Sequence, residues 1–167
     1  MSLFTNFAWQ LREKYPKFSL RIKEDSKFMK VLAWLTKPFN PDFMQNFTVA
    51  NGYTIYMPKD LIGTDAGYRV LRHEAVHIAD FDKWGWWMRI SYFLLLPAGI
   101  TMRAYWELKA YKESLRVCYE MYGKIPDYLI EYYVELFTGP KYVWMLPFPK
   151  TIRKSLLKER DRIINGN

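Results

Sequence analysis

The sequence predicts an α+β fold, with a small sheet in the N-terminal half and helices in the remainder. Three patterns predict it: apolar and polar residues alternate over 18–23, an Asn-Gly pair divides the β-rich segment 46–58, and helical apolar spacing prevails elsewhere. We expect about three strands in an antiparallel or mixed sheet. Because 167 residues of which 50% are apolar suffice for one core, a single domain over 1–167 is expected.

Helices are predicted on both sides of the first strand, over residues 2–14 and 27–36. The first has apolar residues four apart and ends before Pro16. Ser26 has the side chain of a helix N-cap and is expected to start the second. The spacing of the second helix places four apolar residues on its expected inner face: Phe28, Val31, Leu32 and Leu35.

The segment 46–58 is predicted to form a β-hairpin. Asn51-Gly52 lies between two runs rich in Thr, Val, Ile and Tyr. Both central residues of a type I′ turn need positive φ, which Asn and Gly adopt readily. We therefore expect a two-residue type I′ turn at Asn51-Gly52.

Helices are predicted for most of the sequence after the hairpin. The first covers about 66–81, directly after Asp65, and its apolar spacing is that of a strongly buried helix. Further helices are expected at about 100–122, 126–138 and 150–164. The last of them is basic and amphipathic.

Residues 84–100 form the most apolar stretch of the chain. A transmembrane helix needs about 20 apolar residues, whereas this stretch is shorter, contains Arg89 and is interrupted by Pro97. We expect a buried helix followed by a turn. A hairpin in contact with a membrane is the alternative, since the tryptophans at 84, 86 and 87 suit a membrane interface.

The motif that carries chemistry is His73-Glu74-Ala75-Val76-His77, which has the pattern HExxH. Residues four apart lie on the same face of a helix, so both imidazoles can bind one zinc ion. Zinc lowers the pKa of its bound water to about 7, and Glu74 is placed to act as general base on that water. The alternative is a pair of ordinary histidines with hydrogen-bonded partners.

A catalytic zinc site has three protein ligands and one open position. The chain has no third histidine, so a carboxylate is expected to complete the set. Glu107 is the first candidate, because it stands among apolar and aromatic residues and the small Ala110, one turn on, allows close helix packing. Glu113 is the reserve. The alternative for Glu107 is a surface i,i+4 ion pair with Arg103.

Two aspartates follow His77 on the same helix or at its end. Asp80 is a candidate for orienting a histidine ligand, with a solvated charge at the helix end as the alternative. Neither Asp80 nor Asp82 is expected to reach the same ion.

An HExxH helix, followed on a later helix by Glu in an E-x-x-A setting, resembles the gluzincin branch of the zincin metallopeptidases. The run YTIYMP before the motif is similar to the compact minigluzincins and the small zincin-like proteins of phages and bacteria. The resemblance covers about residues 46–115 and is most specific at His73, Glu74 and His77. It implies a zincin-like fold with its sheet packed on the HExxH helix, a zinc cofactor, peptide hydrolysis, and substrate aligned on an edge strand. The candidate edge strand is 53–57, and an ordinary structural hairpin is the alternative.

The sequence also departs from the gluzincin pattern. Thermolysin-like enzymes carry an aspartate four residues after the glutamate ligand, where this chain has Tyr111. Both histidines are already used, so a tyrosine is expected to stabilise the oxyanion, with Tyr111 first and Tyr105 second. Aromatic packing is the alternative for each.

Three functions are open. The first is a zinc-dependent hydrolase, specifically a metalloendopeptidase acting on a peptide or protein substrate. The second is a catalytically silent zincin-fold protein that binds a partner in an assembly, for example a phage virion component or a host-directed effector. An intact Glu74 favours the enzyme, since a structural site needs no base. The third is binding to nucleic acid or an anionic membrane, which a net charge of +8 permits but no motif indicates.

The expected compartment is the cytoplasm, with virion association as the alternative. The first residues show no continuous apolar run of a signal peptide. The single cysteine cannot form an intramolecular disulfide, which fits a reducing compartment. Cys118 is expected to be a small buried apolar residue.

Overall fold

The computed structural model describes residues 1–37, 41–93, 102–139 and 144–166. The chain forms two compact units, residues 1–83 and 84–167. The predicted α+β class is confirmed, because the first unit contains a three-stranded mixed sheet and the described part of the second contains helices. The expectation of a single domain over 1–167 stays a prediction.

The described residues of the first unit form four α-helices and three short strands. Ser2 and Ser26 cap the first two helices by accepting hydrogen bonds from the amides of Thr5 at 3.2 Å and Met29 at 3.3 Å, so the predicted N-cap Ser26 is confirmed. The elements are α1 (Leu3–Lys14), β1 (Ser19–Ile22), α2 (Lys27–Thr36), α3 (Phe43–Asn46), β2 (Val49–Asn51), β3 (Thr54–Met57), a 3₁₀ turn (Lys59–Leu61) and α4 (Asp65–Trp84), whose last residue belongs to the second unit.

The sheet has the strand order β1-β3-β2, which places β3 in the middle. β1 lies parallel to β3 and pairs Leu20 with Ile55, while β2 lies antiparallel and pairs Ala50 with the same residue. Ile55 and Met57 are fully buried. The expectation that 53–57 form an edge strand is therefore wrong, because β1 occupies the side of β3 that the hairpin leaves open.

The hairpin between β2 and β3 is present, but its turn lies one residue later than predicted. Asn51 still pairs with Thr54, so the two loop residues are Gly52 and Tyr53. Of these only Gly52 has positive φ, at 65°. Glycine with positive φ at the first central position alone is typical of a type II′ turn. The expected type I′ turn at Asn51-Gly52 is therefore wrong.

Helix α2 turns a different face inward from the one predicted. Met29 is fully buried and lies among these apolar residues: Leu32, Ala33, Phe43 and Tyr56. On its other side α2 exposes four large apolar residues, which together we name the α2 apolar face: Phe28 (53% exposed), Val31 (57%), Trp34 (73%) and Leu35 (58%). The predicted inner face is wrong except at Leu32. Apolar residues occupy most of the helix circumference, so tertiary contacts rather than spacing decide which of them are buried.

A buried lysine at the end of β1 forms hydrogen bonds with the segment before β2. Lys23, directly after β1, is fully buried, and its Nζ donates to the carbonyl oxygen of Phe43 and, at 2.6 Å, to that of Phe47. The ammonium also lies 3.6 Å from the centroid of the Phe43 ring. Burial lowers the pKa of Lys23 to about 8, while the charges of Glu24 and Glu74 oppose that shift.

The described part of the second unit is helical. Its elements are α5 (Trp86–Phe93), α6 (Met102–Tyr122), α7 (Asp127–Thr138) and α8 (Pro149–Ile164). One core joins α6, α7 and α8 around Leu115, Phe137 and Leu156, all fully buried. Cys118 is buried, as predicted, and its thiol donates to the carbonyl oxygen of Lys124 at 3.5 Å.

The apolar stretch 84–100 is described as far as Phe93, and its predicted turn over 94–100 lies outside the described residues. Met88 and Ser91 are buried. Four large apolar residues of this stretch are instead about half exposed or more: Trp84 (48%), Trp86 (69%), Trp87 (58%) and Ile90 (51%). For these four the expected burial is wrong. None of the described helices is long and apolar enough to span a bilayer.

We expect Lys23→Met to reduce the rise in stability with pH above pH 8. The pKa of Lys23 is about 8 in the folded chain against an ordinary value of 10.5, so between these values the unfolded chain binds more protons here. The free energy of unfolding therefore rises with pH in this window, by up to about 3 kcal/mol from this residue. The contribution is complete above the ordinary pKa and is lost as pH falls through the folded-state pKa.

Urea unfolding of wild type and Lys23→Met at pH 7.5 and pH 10 measures this contribution. Other titrating groups change the stability of both proteins. The quantity to compare is therefore the increase in the free energy of unfolding between the two pH values, wild type minus variant. Equal rises in the two proteins would contradict the prediction.

Candidate metal centre

Helix α4 carries the HExxH motif, and Thr64 fixes its start. The Thr64 hydroxyl accepts a hydrogen bond from the amide of Gly67 at 2.9 Å, as an N-cap does. A Cβ on Gly67 would lie 1.8 Å from the carbonyl oxygen of Leu61, so a side chain does not fit without a backbone shift. Buried residues then follow along the helix: Gly67, Tyr68, Leu71, Glu74, His77, Ile78 and Asp80. Polar residues thus share the inward face with apolar ones.

Both histidines of the motif project from one side of α4. The centroids of the His73 and His77 rings lie 5.4 Å apart, with ring planes at 74°. His77 is buried and His73 is half-buried. Two imidazoles at this separation could hold one metal ion.

Glu74 follows the first histidine and is itself buried, with 7% of its surface exposed. A buried carboxylate needs a charge partner or hydrogen bonds, because leaving water is costly. The buried ammonium of Lys23 attracts Glu74. Glu74 and Lys23 are therefore two buried side chains of opposite charge in the first unit.

The two aspartates after His77 lie in different environments. Asp80 is 1% exposed, so the alternative of a solvated charge is wrong for it. Its predicted role in orienting a histidine stays a prediction. Asp82 is exposed and accepts a hydrogen bond from the Tyr53 hydroxyl at 2.6 Å, which raises the pKa of Tyr53. Asp82 therefore joins the hairpin turn to α4.

Glu107, the candidate third ligand, is a buried carboxylate of the second unit. It lies on α6 and is 4% exposed. The hydroxyl of Tyr92 on α5 donates a hydrogen bond to its Oε1. Ala104 and Ala110, one turn before and after it on α6, are also buried. The surface position in the alternative for Glu107 is wrong, because the carboxylate is buried, whereas its ion pair with Arg103 stays an alternative.

The reserve ligand, Glu113, forms an ion pair with an arginine. Its Oε2 lies 2.6 Å from Nη1 of Arg116, and the Glu113 side chain is 16% exposed. Arg116 also reaches Glu159 on α8 at 3.3 Å. This ion-pair network accounts for Glu113 without a metal ion.

The two candidate oxyanion tyrosines differ in burial. Tyr111 lies in the core of the second unit, with its ring centroid 4.6 Å from that of Tyr133 and 5.4 Å from that of Phe137. Tyr105 is 58% exposed. Aromatic packing accounts for Tyr111 without a catalytic role, and the catalytic role of either tyrosine stays a prediction.

Two residues around the candidate ligands and base were not identified from the sequence, Tyr92 and Lys23. Tyr92 precedes Glu107 by 15 residues, so no helical spacing links the two. Lys23 continues an alternating strand pattern in which lysine is ordinarily exposed. Both are recognised only by contacts between segments that are distant in sequence.

We expect Tyr92→Phe to lower the free energy of unfolding by about 1–3 kcal/mol, because it removes a hydrogen-bond donor from a buried carboxylate. Tyr105→Phe is the matched control, since Tyr105 is 58% exposed. Its effect is expected within about 0.5 kcal/mol. Urea unfolding of both variants at pH 7 measures the difference, and equal effects would contradict the proposed importance of the Tyr92 hydroxyl.

Comparisons with known proteins do not assign the chain to a family. No protein-family model, curated protein or solved structure matches it. The gluzincin family and the zincin-like fold therefore stay expectations from the motif residues.

Proposed function

We propose that this chain is a zinc-dependent metalloendopeptidase of zincin-like fold. His73, His77 and Glu107 would supply two imidazole nitrogens and one carboxylate oxygen to the ion. This is the donor set of two histidines and one glutamate found in zinc peptidases of the thermolysin kind. The chemistry of these donors fits zinc, which binds nitrogen and oxygen ligands in this combination.

The observation that carries the proposal is a buried, intact Glu74 beside two histidines on one helix face. Glu74 is 7% exposed, and its charge raises the pKa of the buried Lys23. A site that only stabilises a fold needs no carboxylate at this position, whereas a hydrolase needs a base there.

Each residue then has a defined part in peptide hydrolysis. When bound, zinc would act as a Lewis acid and would lower the pKa of a coordinated water to about 7. Glu74 accepts the proton of the attacking water and later delivers it to the leaving amine. His73, His77 and Glu107 would hold the ion, and the Tyr92 hydroxyl, which donates a hydrogen bond to Glu107, would orient that carboxylate.

The first test is metal binding. We expect one zinc per chain by elemental analysis of protein purified without chelator. Glu107→Gln is expected to weaken zinc binding by more than about a hundredfold, since loss of an outer-shell partner alone weakens it by 10–100-fold. Competition with a chromogenic chelator measures the affinity.

Glu113→Gln is the matched control for this measurement. It makes the same change on the same helix, at a carboxylate that pairs with Arg116. Its zinc affinity is expected to equal that of the wild type. A folded wild-type chain without zinc affinity, or equal weakening by both variants, would count against Glu107 as a ligand.

The second test is activity. We expect Glu74→Gln to keep its zinc and to lose at least about a hundredfold in kcat on a fluorogenic peptide library, because general-base catalysis contributes 10²–10⁴-fold. Tyr111→Phe keeps the ring and removes only the hydroxyl. Because that ring packs in a core, we expect its kcat to stay within about twofold of wild type, whereas loss of activity would assign it to the oxyanion.

The catalytically silent alternative predicts a different combination of results. It requires bound zinc, no cleavage by the wild type, and no effect of Glu74→Gln beyond a change in stability. Those results together would refute the peptidase proposal and would still support a zinc-binding site.

A further inference from the structure

Helix α2 exposes several large apolar side chains that the described residues do not bury. Phe28, Val31, Trp34 and Leu35 of the α2 apolar face are each more than half exposed, and Trp34 is 73% exposed. Single exposed apolar residues are ordinary, but large ones gathered on one short helix mark an interaction surface. This surface is separate from the inward side of α2, which Met29 fills.

The charges on α2 are all of one sign. Lys27, Lys30 and Lys37 are exposed, and the helix itself contains no acidic residue. At 3.6 residues per turn, Lys30 and Lys37 lie beyond the Trp34 edge of the α2 apolar face, and Lys27 lies between Trp34 and Val31. The nearest acids in sequence, Glu24 and Asp25, precede the helix, and the Glu24 carboxylate accepts a hydrogen bond from the amide of Lys59. Within α2 and at its C-cap Lys37, all the charged residues are therefore basic.

We infer that the α2 apolar face binds the surface of an anionic phospholipid membrane. A helix that lies in a membrane interface combines Trp, Phe and Leu on one side with lysines that reach the headgroups. Its charge complements anionic headgroups, and the net charge of +8 attracts the whole chain to such a surface. The helix has 10 residues and is about 15 Å long, so it suits an orientation parallel to the bilayer rather than across it.

The second unit shows the same chemistry independently. Trp86, Trp87 and Ile90 of α5 are exposed, and the guanidinium of Arg89 lies 4.9 Å from the centroid of the Trp86 ring. Tryptophan is the residue most typical of the headgroup region, where its ring is amphipathic and its N–H is hydrated. The exposed tryptophans of α5 therefore suit a lipid headgroup region by themselves, as Trp34 does on α2.

Co-sedimentation with vesicles tests the inference on the full chain. We expect binding to phosphatidylcholine vesicles that contain phosphatidylglycerol, much weaker binding to phosphatidylcholine alone, and weakening as salt rises. Replacing Lys27, Lys30 and Lys37 by Gln is expected to weaken vesicle binding about a hundredfold. Each lysine near an anionic surface contributes about a fivefold increase in affinity, and the three contributions multiply. Replacement of Lys150, Lys154 and Lys158 of α8 by Gln removes the same charge from three exposed positions and is expected to weaken it by less than about threefold.

A second pair of variants tests the apolar contact. Trp34→Ser is expected to weaken vesicle binding about tenfold, from loss of one buried aromatic side chain. Tyr128→Ser is its control, because Tyr128 is 74% exposed against 73% for Trp34, and it is expected to leave binding unchanged. Circular dichroism on each variant verifies that the fold is retained.

Three results would overturn the inference. One is no binding of the wild type to anionic vesicles. Another is equal weakening by the two lysine triple variants, which would assign binding to overall charge. The third is a change of oligomeric state in Trp34→Ser with unchanged vesicle binding, which would assign the α2 apolar face to a second copy of the chain. None of these readouts depends on zinc or on peptide cleavage.

Discussion

The burial of polar side chains on α4 is the constraint on which the rest of the first unit depends. Glu74, His77 and Asp80 lie on the same inward face as the fully buried Leu71 and Ile78. A helix needed only for packing would carry apolar residues at all of these positions, because burying a charge without compensation costs several kcal/mol. The compensation includes Lys23, whose ammonium attracts Glu74. Lys23 is in turn held by the backbone carbonyls of Phe43 and Phe47.

The three-stranded sheet is what brings Lys23 to this position. β1 pairs in parallel with β3, and the amide of Lys23 continues the pairing by donating to the carbonyl oxygen of Met57 at 2.9 Å. β3 thus has neighbours on both sides, and the edges of the sheet belong to β1 and β2. A peptide that adds a strand to this sheet, as the gluzincin resemblance implies, must therefore pair with β1 or β2 rather than with 53–57.

Features set by local sequence could be predicted, and features set by distant contacts could not. The bounds of α2 and its N-cap Ser26 follow from short-range spacing and capping, and so does the common face of His73 and His77. The parallel pairing of β1 with β3 joins residues about 35 positions apart, and no local pattern specifies it. The same limit applies to the buried face of α2, whose apolar residues occupy more than one side.

The candidate site shows this limit most clearly. Glu107 was a candidate because a carboxylate among apolar residues is unusual, and its burial agrees with that argument. Its donor, Tyr92, is one of 13 tyrosines and has no local signature. The turn of the hairpin was predicted less exactly. The Asn-Gly pair predicted the hairpin, but Asn51 pairs with Thr54, so the turn begins at Gly52, whose φ is positive.

The supply of ligands also bears on whether a zinc site here would be structural or catalytic. Structural zinc sites are closed by four ligands, as a rule with at least two cysteines. This chain has two histidines and one cysteine. Cys118 is buried in the second unit, with its thiol directed at the carbonyl oxygen of Lys124. A closed set would thus need a second carboxylate, whereas His73, His77 and Glu107 with one open position need no further residue. The proposed role of Glu74 as a general base would fit the open arrangement, because a closed structural site needs no base.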